Sequence, residues 1–238
     1  MQNTRTQILS TRPLGMALVE EARRDNIDID EVSFIRTEEH ADDWVKDFIK
    51  KLSGEPITVV FSSITSVEVV AKYSVSPHWK IYCVGNATRL MAERCFSGSV
   101  ISGVEYNASQ LADLIIEKQE KDVVFFCGTI RGEELPVKLQ SADVNVREVV
   151  IYTTIETACL LQKVYNGILF FSPSAARSFF SVNKIPDNTV LFSIGNTTAA
   201  EIRKHSNNKM IIASQPSKEE LVVEVINYYL KTANNSNI

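Results

Sequence analysis

VVFSSITSV at 59–67 has a counterpart in LFFSPSAAR at 169–177, VGNAT at 84–88 in IGNTT at 194–198, and SQLADLI at 109–115 in EELVVEV at 219–225. The three pairs share one offset of 110 (169 − 59, 194 − 84, 219 − 109) and keep their order, which is the mark of an internal repeat. An earlier pairing runs at offset 117, with Ser10 facing Cys127, Leu18 facing Leu135 and Val32 facing Val149. The chain thus reads as two copies of one unit. A single large Rossmann-like sheet with merely similar segments is the alternative.

Each copy reads as α/β. Apolar runs bounded by polar, Gly or Pro residues predict strands at 7–10, 58–62, 81–84, 100–102, 123–127, 168–172, 190–194 and 210–213. They are rich in Val, Ile and Phe and lack strict alternation, as strands buried on both faces of a parallel sheet do. Helical patterns lie between them at 65–73, 87–95, 109–118 and 218–231; in the last, Leu221, Val225 and Tyr228 make one apolar stripe. Residues 32–35 and 146–152 are extended, β-branched stretches at equivalent places in the repeat. If both are crossovers, near 32–37 and 148–154, one domain is 37–148 and the other combines 1–35 with 154–238.

Composition narrows the function classes. The 238 residues suffice for two domains of about 100–120. A formal charge of −4 supplies no basic field, so no nucleic-acid partner is expected. Cys83, Cys95, Cys127 and Cys159 form no CxxC pair and read as reduced thiols. His40, His78 and His205 are too scattered to suggest a zinc site. Residues 1–13 contain no apolar signal region, and no apolar run is long enough to cross a bilayer. The expectation is a cytoplasmic chain with no membrane partner.

The candidate chemistry lies in the turns that follow the strands. Ser62 and Ser63, Gly85 to Thr88, Ser172 to Ser174, and Gly195 to Thr198 each open a helical pattern with hydroxyl residues. Such residues cap helices by accepting bonds from the first free amides. The remaining amides and the positive end of the helix dipole suit an anion. Ligands of open α/β sheets collect outside the carboxyl ends of the strands. Two such turns per copy describe a wide donor surface, suited to a ligand with several separated carboxylates or phosphates. Gly85 and Gly195 read as positions of positive φ or close packing. Arg12, beside Thr11 in the STRP turn, and Arg131, after CGT, are candidate anion receptors or salt-bridged surface residues. No GxSxG elbow, P-loop lysine, GxGxxG or carboxylate pair is present. Chemistry here would need positioning and one proton donor. Tyr152, ending VVIY at a crossover, is the candidate donor, since a phenol of pKa about 10 stays protonated at neutral pH.

In order, ILSTRP (8–13), FSSITSV (61–67), VGNAT (84–88), IYTT (151–154), FFSPSA (170–175), IGNTTA (194–199) and PSKEEL (216–221) resemble the motifs of uroporphyrinogen-III synthases across nearly the whole chain. The first signature departs from the family's FTS-x-N-A-V, with Ser62 for its Thr, Thr65 for its Asn and Ser66 for its Ala. The resemblance implies two similar three-layer α/β/α domains with parallel sheets in flavodoxin-like order, joined by a two-stranded β linker. It implies cyclisation of hydroxymethylbilane, a linear tetrapyrrole with eight carboxylates, to uroporphyrinogen III through a spiro intermediate that inverts ring D. No metal or organic cofactor is expected, and the chain is expected to act as a monomer. Tyr152 would help the hydroxyl leave; Ser63, Ser172, Thr197 and Thr198 would hold carboxylates, with Thr11, Arg12, Ser62, Gly128, Ser174 and Gly195 completing the binding set. The competing expectation is a non-catalytic two-domain module that clamps an anionic ligand.

Overall fold

A computed structural model describes residues 5–40 and 42–235, with side chains to Thr232; residues 1–4, which begin the stretch read for a secretion signal, lie outside the described residues. The chain opens with β1 (Thr6–Ser10), α1 (Met16–Arg24) and β2 (Ile27–Glu31), followed by β3 (Ile35–Glu39). Next come α2 (Asp43–Leu52), β4 (Thr58–Phe61), α3 (Ile64–Tyr73), β5 (Lys80–Val84), α4 (Asn86–Cys95), β6 (Val100–Glu105), α5 (Ala108–Glu117), β7 (Asp122–Gly128) and α6 (Glu134–Ser141). A long strand β8 (Asn145–Glu156) leads to β9 (Gly167–Phe170), α7 (Pro173–Phe180), β10 (Val190–Ser193), α8 (Asn196–Ile202), β11 (Met210–Ile212) and α9 (Lys218–Asn235). These elements form two compact units, Met1–Arg36 with Ile155–Ile238, and Thr37–Thr154.

The repeat is present element for element. The run β4, α3, β5, α4, β6, α5 recurs as β9, α7, β10, α8, β11, α9, and the run β1, α1, β2 recurs as β7, α6, β8. The first sheet is ordered β11-β10-β9-β1-β2 and the second β3-β8-β7-β4-β5-β6. Every strand pair from β2 to β11, and from β6 to β8, is parallel. Numbered along its own chain, the first sheet runs 5-4-3-1-2, the flavodoxin-like order. Replacing β6, β5, β4, β7 and β8 by their counterparts turns the second sheet into the first. The two sheets are therefore one arrangement entered by the chain at different strands. Strand β3 is an addition at the edge of the second sheet. Beside it, His40 N–H donates to Ile151 O (2.8 Å) and Thr157 N–H to Phe34 O (2.9 Å), an antiparallel pairing with β8.

Each sheet is covered on both faces, because alternate strand residues serve opposite layers. In the second unit Val59, Phe61, Ile81, Cys83 and Phe126 pack against α2, α3 and α4, while Val60, Tyr82, Phe125 and Cys127 pack against α5 and α6. In the first, Ile8, Leu169 and Phe192 meet α1 and α9, and Leu9, Phe170 and Leu191 meet α7 and α8. Residues 32–34, expected to be extended, form instead the connection between β2 and β3, and the strand begins at Ile35. Phe34 is fully buried there against Phe179 (5.2 Å), while the backbone stays hydrogen-bonded at both ends of the segment, Val32 N–H donating to Ser10 O (3.0 Å) and Phe34 O accepting from Thr157 N–H (2.9 Å). Strand β2 (IDIDE) escapes an apolar-run reading because it is an edge strand whose Asp28 and Asp30 point to Arg5 and Lys163 while Ile27 and Ile29 are buried.

Trp79 ties three elements of the second unit together. It is 1% exposed, its indole N–H donates to Leu52 O at the end of α2 (3.0 Å), and it packs on Phe96 and Phe126 at 5.5 and 6.3 Å. Trp79→Ala is expected to cost about 3–5 kcal/mol, read as an earlier urea transition of this unit by circular dichroism.

Candidate functional site

The strand-end turns are alike in the two units and differ within each. Ser63 is the N-cap of α3 and its side chain accepts from Ser66 N–H; Ser172 is the N-cap of α7 and accepts from Ala175 N–H, each at 3.1 Å. The counterpart of Ser172 is thus Ser63, an offset of 109 rather than 110 at this turn (172 − 63), and Ser62 is the residue before the cap. The other two turns depart from the hydroxyl-capping expectation. Their N-caps are Gly85 and Gly195, and no side chain caps α4 or α8. Thr88 and Thr198 are buried in the first helical turns, Thr197 is exposed beside Thr198, and Ser174 is buried at the start of α7. Serine-capped and glycine-opened turns therefore alternate in both copies, and the glycine-opened ones leave helix amides free for a ligand.

Gly85 has φ +81°, the left-handed region, as expected. Gly195 does not: its φ of −179° is extended backbone, and a Cβ there would meet nothing within 4 Å. Neither conformation nor packing demands glycine at 195.

At the end of β1, Thr11 is buried with its hydroxyl donating to Leu169 O (2.8 Å), while Arg12 is exposed and lies 5.7 Å over the Phe171 ring. Arg12 forms no ion pair among the described residues, so its charge is available to an anion. Arg131 is committed instead, pairing with Glu148 and, at 3.5 Å, with Glu133.

Tyr152 is the side chain around which the second unit's site is built. It is 9% exposed, and its phenol oxygen lies 3.0 Å from Ser63 Oγ. Ser66 Oγ donates to Ser63 O (2.8 Å), and the two serine hydroxyls are 3.0 Å apart. One assignment satisfies every contact: Ser63 gives its proton to Ser66 Oγ and accepts from Ser66 N–H and from the Tyr152 phenol. Tyr152 is thereby a hydrogen-bond donor. Burial raises its pKa, while the Ser63 hydroxyl, free to turn its proton toward a phenolate, works the other way. Gly128, the last residue of β7, lies directly opposite Tyr152 in the ladder and is covered by its ring.

Beside Tyr152 opens a recess of about 380 Å³ lined by Thr37, Glu39, Thr65, Glu68, Val69 and Lys72. Glu39 pairs with Lys72 and accepts from the Tyr73 hydroxyl, and those two bonds hold its carboxyl below the ordinary range. The sequence reading missed Glu39 and Lys72, since only the placement of β3 at the sheet edge brings one near the other. A larger hollow of about 870 Å³, bounded by Lys184, Arg203 and His205, lies past the C-terminal ends of α7 and α8. That is the end of a βα layer opposite the strand carboxyl ends, where ligands of such sheets gather, so the Tyr152 recess is the better candidate. Among the described residues no group of three or more His, Cys, Asp or Glu is placed to hold a metal, and no helix is long and apolar enough to cross a membrane.

Residues 16–223 match the family model of uroporphyrinogen-III synthase HemD. The chain belongs to that family. It is 26% identical over 190 residues to the uroporphyrinogen-III synthase of Saccharomyces cerevisiae, covering 68% of each chain. Two solved structures share its fold. Uroporphyrinogen-III synthetase from Helicobacter pylori matches with a TM-score of 0.62 at 14% identity, over 94% of this chain and 99% of that one. A mutant uroporphyrinogen III synthase from Thermus thermophilus matches with a TM-score of 0.63 at 9% identity, over 95% of this chain and 99% of that one. Uroporphyrinogen-III synthases are cyclising hydro-lyases acting on a small-molecule tetrapyrrole.

The phenol's ionisation is directly measurable. In the difference between the ultraviolet titrations of wild type and Tyr152→Phe, the midpoint is expected above the ordinary 10.0. Ser63→Ala should move it higher still, because the phenolate then loses its donor, and should cost about 0.5–2 kcal/mol of stability through the lost cap. A Tyr152 midpoint below 10 would contradict the burial argument.

Proposed function

We propose that this chain converts hydroxymethylbilane to uroporphyrinogen III, as a cytoplasmic monomer, with Tyr152 as the proton donor for departure of the terminal hydroxyl. The observation that carries the chemical role is the hydrogen bond from the Tyr152 phenol to Ser63 Oγ within a 9% exposed setting. The phenol is held, protonated and sheltered, at the carboxyl end of the sheet.

In this reading the pyrrole nitrogen pushes electrons toward the hydroxymethyl carbon as its C–O bond breaks. The oxygen takes the phenol proton and leaves as water. An azafulvene cation remains, paired with a phenolate that the Ser63 hydroxyl can stabilise by turning its proton. The substituted carbon of ring D attacks the cation to give the spiro intermediate, which fragments and recloses with that ring inverted. Closure releases a proton from the ring carbon and restores the phenol, so the balance is one substrate to one product plus water. General acid assistance of this kind contributes about 10²–10⁴-fold.

Folding the substrate is the other half of the task, since closure without inversion gives the type I isomer. Ser62 and Ser63 in the second unit, and Thr11, Arg12, Ser172, Ser174, Gly195, Thr197 and Thr198 in the first, form the proposed carboxylate-binding set; Gly128, expected among them, lies under the Tyr152 ring and borders the set without contributing a contact of its own. Its most direct members are Arg12, a cation that lies over Phe171 and has no carboxylate partner among the described residues, and the uncapped turn at Gly195 to Thr198. Thr11, whose hydroxyl and backbone N–H both go to Leu169 O, and Ser63, whose proton goes to Ser66 Oγ, contribute shape rather than a free donor.

The test is to incubate the purified chain with fresh hydroxymethylbilane, oxidise the product and separate the porphyrin isomers. Predominant type III is expected. Type I alone would leave a non-catalytic anion-binding module as the better description. Tyr152→Phe is expected to lower kcat by about 10²-fold or more at an unchanged circular dichroism spectrum; unchanged turnover would remove Tyr152 from the chemistry.

A further inference from the structure

A strand places successive side chains on opposite faces, and β8 breaks that rule once. Val149 and Ile151 both face the layer of α3, with Val150 between them on the α5 and α6 side. Tyr152 should then join Val150. It instead shares the α3-facing cluster with Ile151. The register explains how: Cys127 is opposite Val150, but Gly128 is opposite Tyr152, so Ile151 is the extra residue of a bulge. Bulges bend a strand and re-aim the side chain that follows. Here the re-aimed residue is turned toward the layer whose helix begins at Ser63.

The bulge alone would press the ring onto the neighbouring strand. A Cβ on Gly128 would lie 2.5 Å from Tyr152 Cε2, 2.6 Å from Cζ and 3.0 Å from the phenol oxygen. The two shorter distances are ones that real side chains do not keep, and the atoms displaced would be those at the phenol end of the ring. Gly128 itself has no positive φ, so its backbone conformation does not require glycine. The demand for glycine at this position comes from the Tyr152 ring, and nothing else within reach is closer.

We propose that Gly128 is a positioning residue for the reaction: its missing side chain, opposite the bulge at Ile151, seats the Tyr152 ring so that the phenol meets Ser63 Oγ. This rests on Tyr152 being the proton donor. Gly128 touches no reacting atom in this account. It acts through the place it gives the phenol, and an added methyl group would push the hydroxyl off its bond to Ser63.

The experiment compares Gly128→Ala, Tyr152→Phe and the double variant in the full chain, with hydroxymethylbilane as substrate. Gly128→Ala is expected to lower kcat by about ten- to a hundredfold, the scale of an ångström's misplacement, with KM little changed. In the double variant it should cost no further kcat, since the hydroxyl it displaces is already gone. An equal loss in both backgrounds, or none in the first, overturns the proposal. A stability arm covers the case in which Gly128→Ala folds poorly. Its Tm should fall where the ring is present, in the wild-type and Tyr152→Phe backgrounds, and should be unaffected in Tyr152→Ala, where the ring is absent. A fall in all three would show that position 128 answers to something other than the ring. If Tyr152→Phe alone keeps full kcat, the proton-donor reading fails, while the stability arm still decides whether Gly128 is the seat of the ring.

Discussion

Burial of the parallel strands on both faces is the constraint on which the rest depends. Val59, Val60 and Phe61 in one sheet, and Ile168, Leu169 and Phe170 in the other, leave no room along these central strands for a polar side chain. Backbone groups are consumed by the ladder and side chains by the helical layers, so polar function is forced to the strand ends. At the carboxyl ends the chain turns into a helix whose first amides need partners. The same turns that solve this capping problem become the donor surface. Where serine supplies the partner, as at Ser63 and Ser172, the helix is closed; where glycine opens the turn, as at Gly85 and Gly195, amides are left for something else.

The repeat was legible because both copies keep one pattern of burial as well as of residues. Ile81 to Thr88 and Leu191 to Thr198 run through the same sequence of buried, half-buried and exposed positions. The strands of the repeated β4–β6 and β9–β11 runs followed from that, whereas the sheet order was implied by the family resemblance, and Tyr152 could be singled out by its place at the end of an apolar run. The finer features lay beyond reach for physical reasons. Which of two adjacent serines caps a helix depends on where the preceding strand stops, and β4 and β9 stop one residue apart relative to the motif. The bulge at Ile151 is a property of two paired strands, and no single strand's residues announce it. The Ser63 to Tyr152 bond spans 89 residues, and the Glu39 to Lys72 pair depends on an edge strand outside the repeat.

The two cysteines that lie in strands show how the layers dispose of groups that would be reactive elsewhere. Cys83 and Cys127 are buried, and burial pushes their thiols up to about 12 and about 11. At neutral pH they carry no thiolate and behave as small apolar side chains. Cys127 sits one residue from Gly128 but packs on the α5 and α6 side of the sheet, the face opposite the cluster that Tyr152 joins.

The chain's route through the two sheets also sets an order of assembly. Thr37–Thr154 is continuous, and all of its strands exist once residue 156 has left the ribosome. The other unit is split: β1 waits for its partner β9, whose pairing of Ile8 with Gly167 closes a loop of 159 residues (167 − 8). Its last helix, α9, which packs with α1 over the same face, ends at residue 235. During synthesis β1 therefore waits with one edge unpaired while Thr37–Thr154 is completed. Closure of so long a loop is slow when the loop is a free coil. The compact insert shortens it by holding Thr37 and Thr154 on neighbouring strands of one sheet, so folding of the inner unit brings the outer unit's two halves within reach.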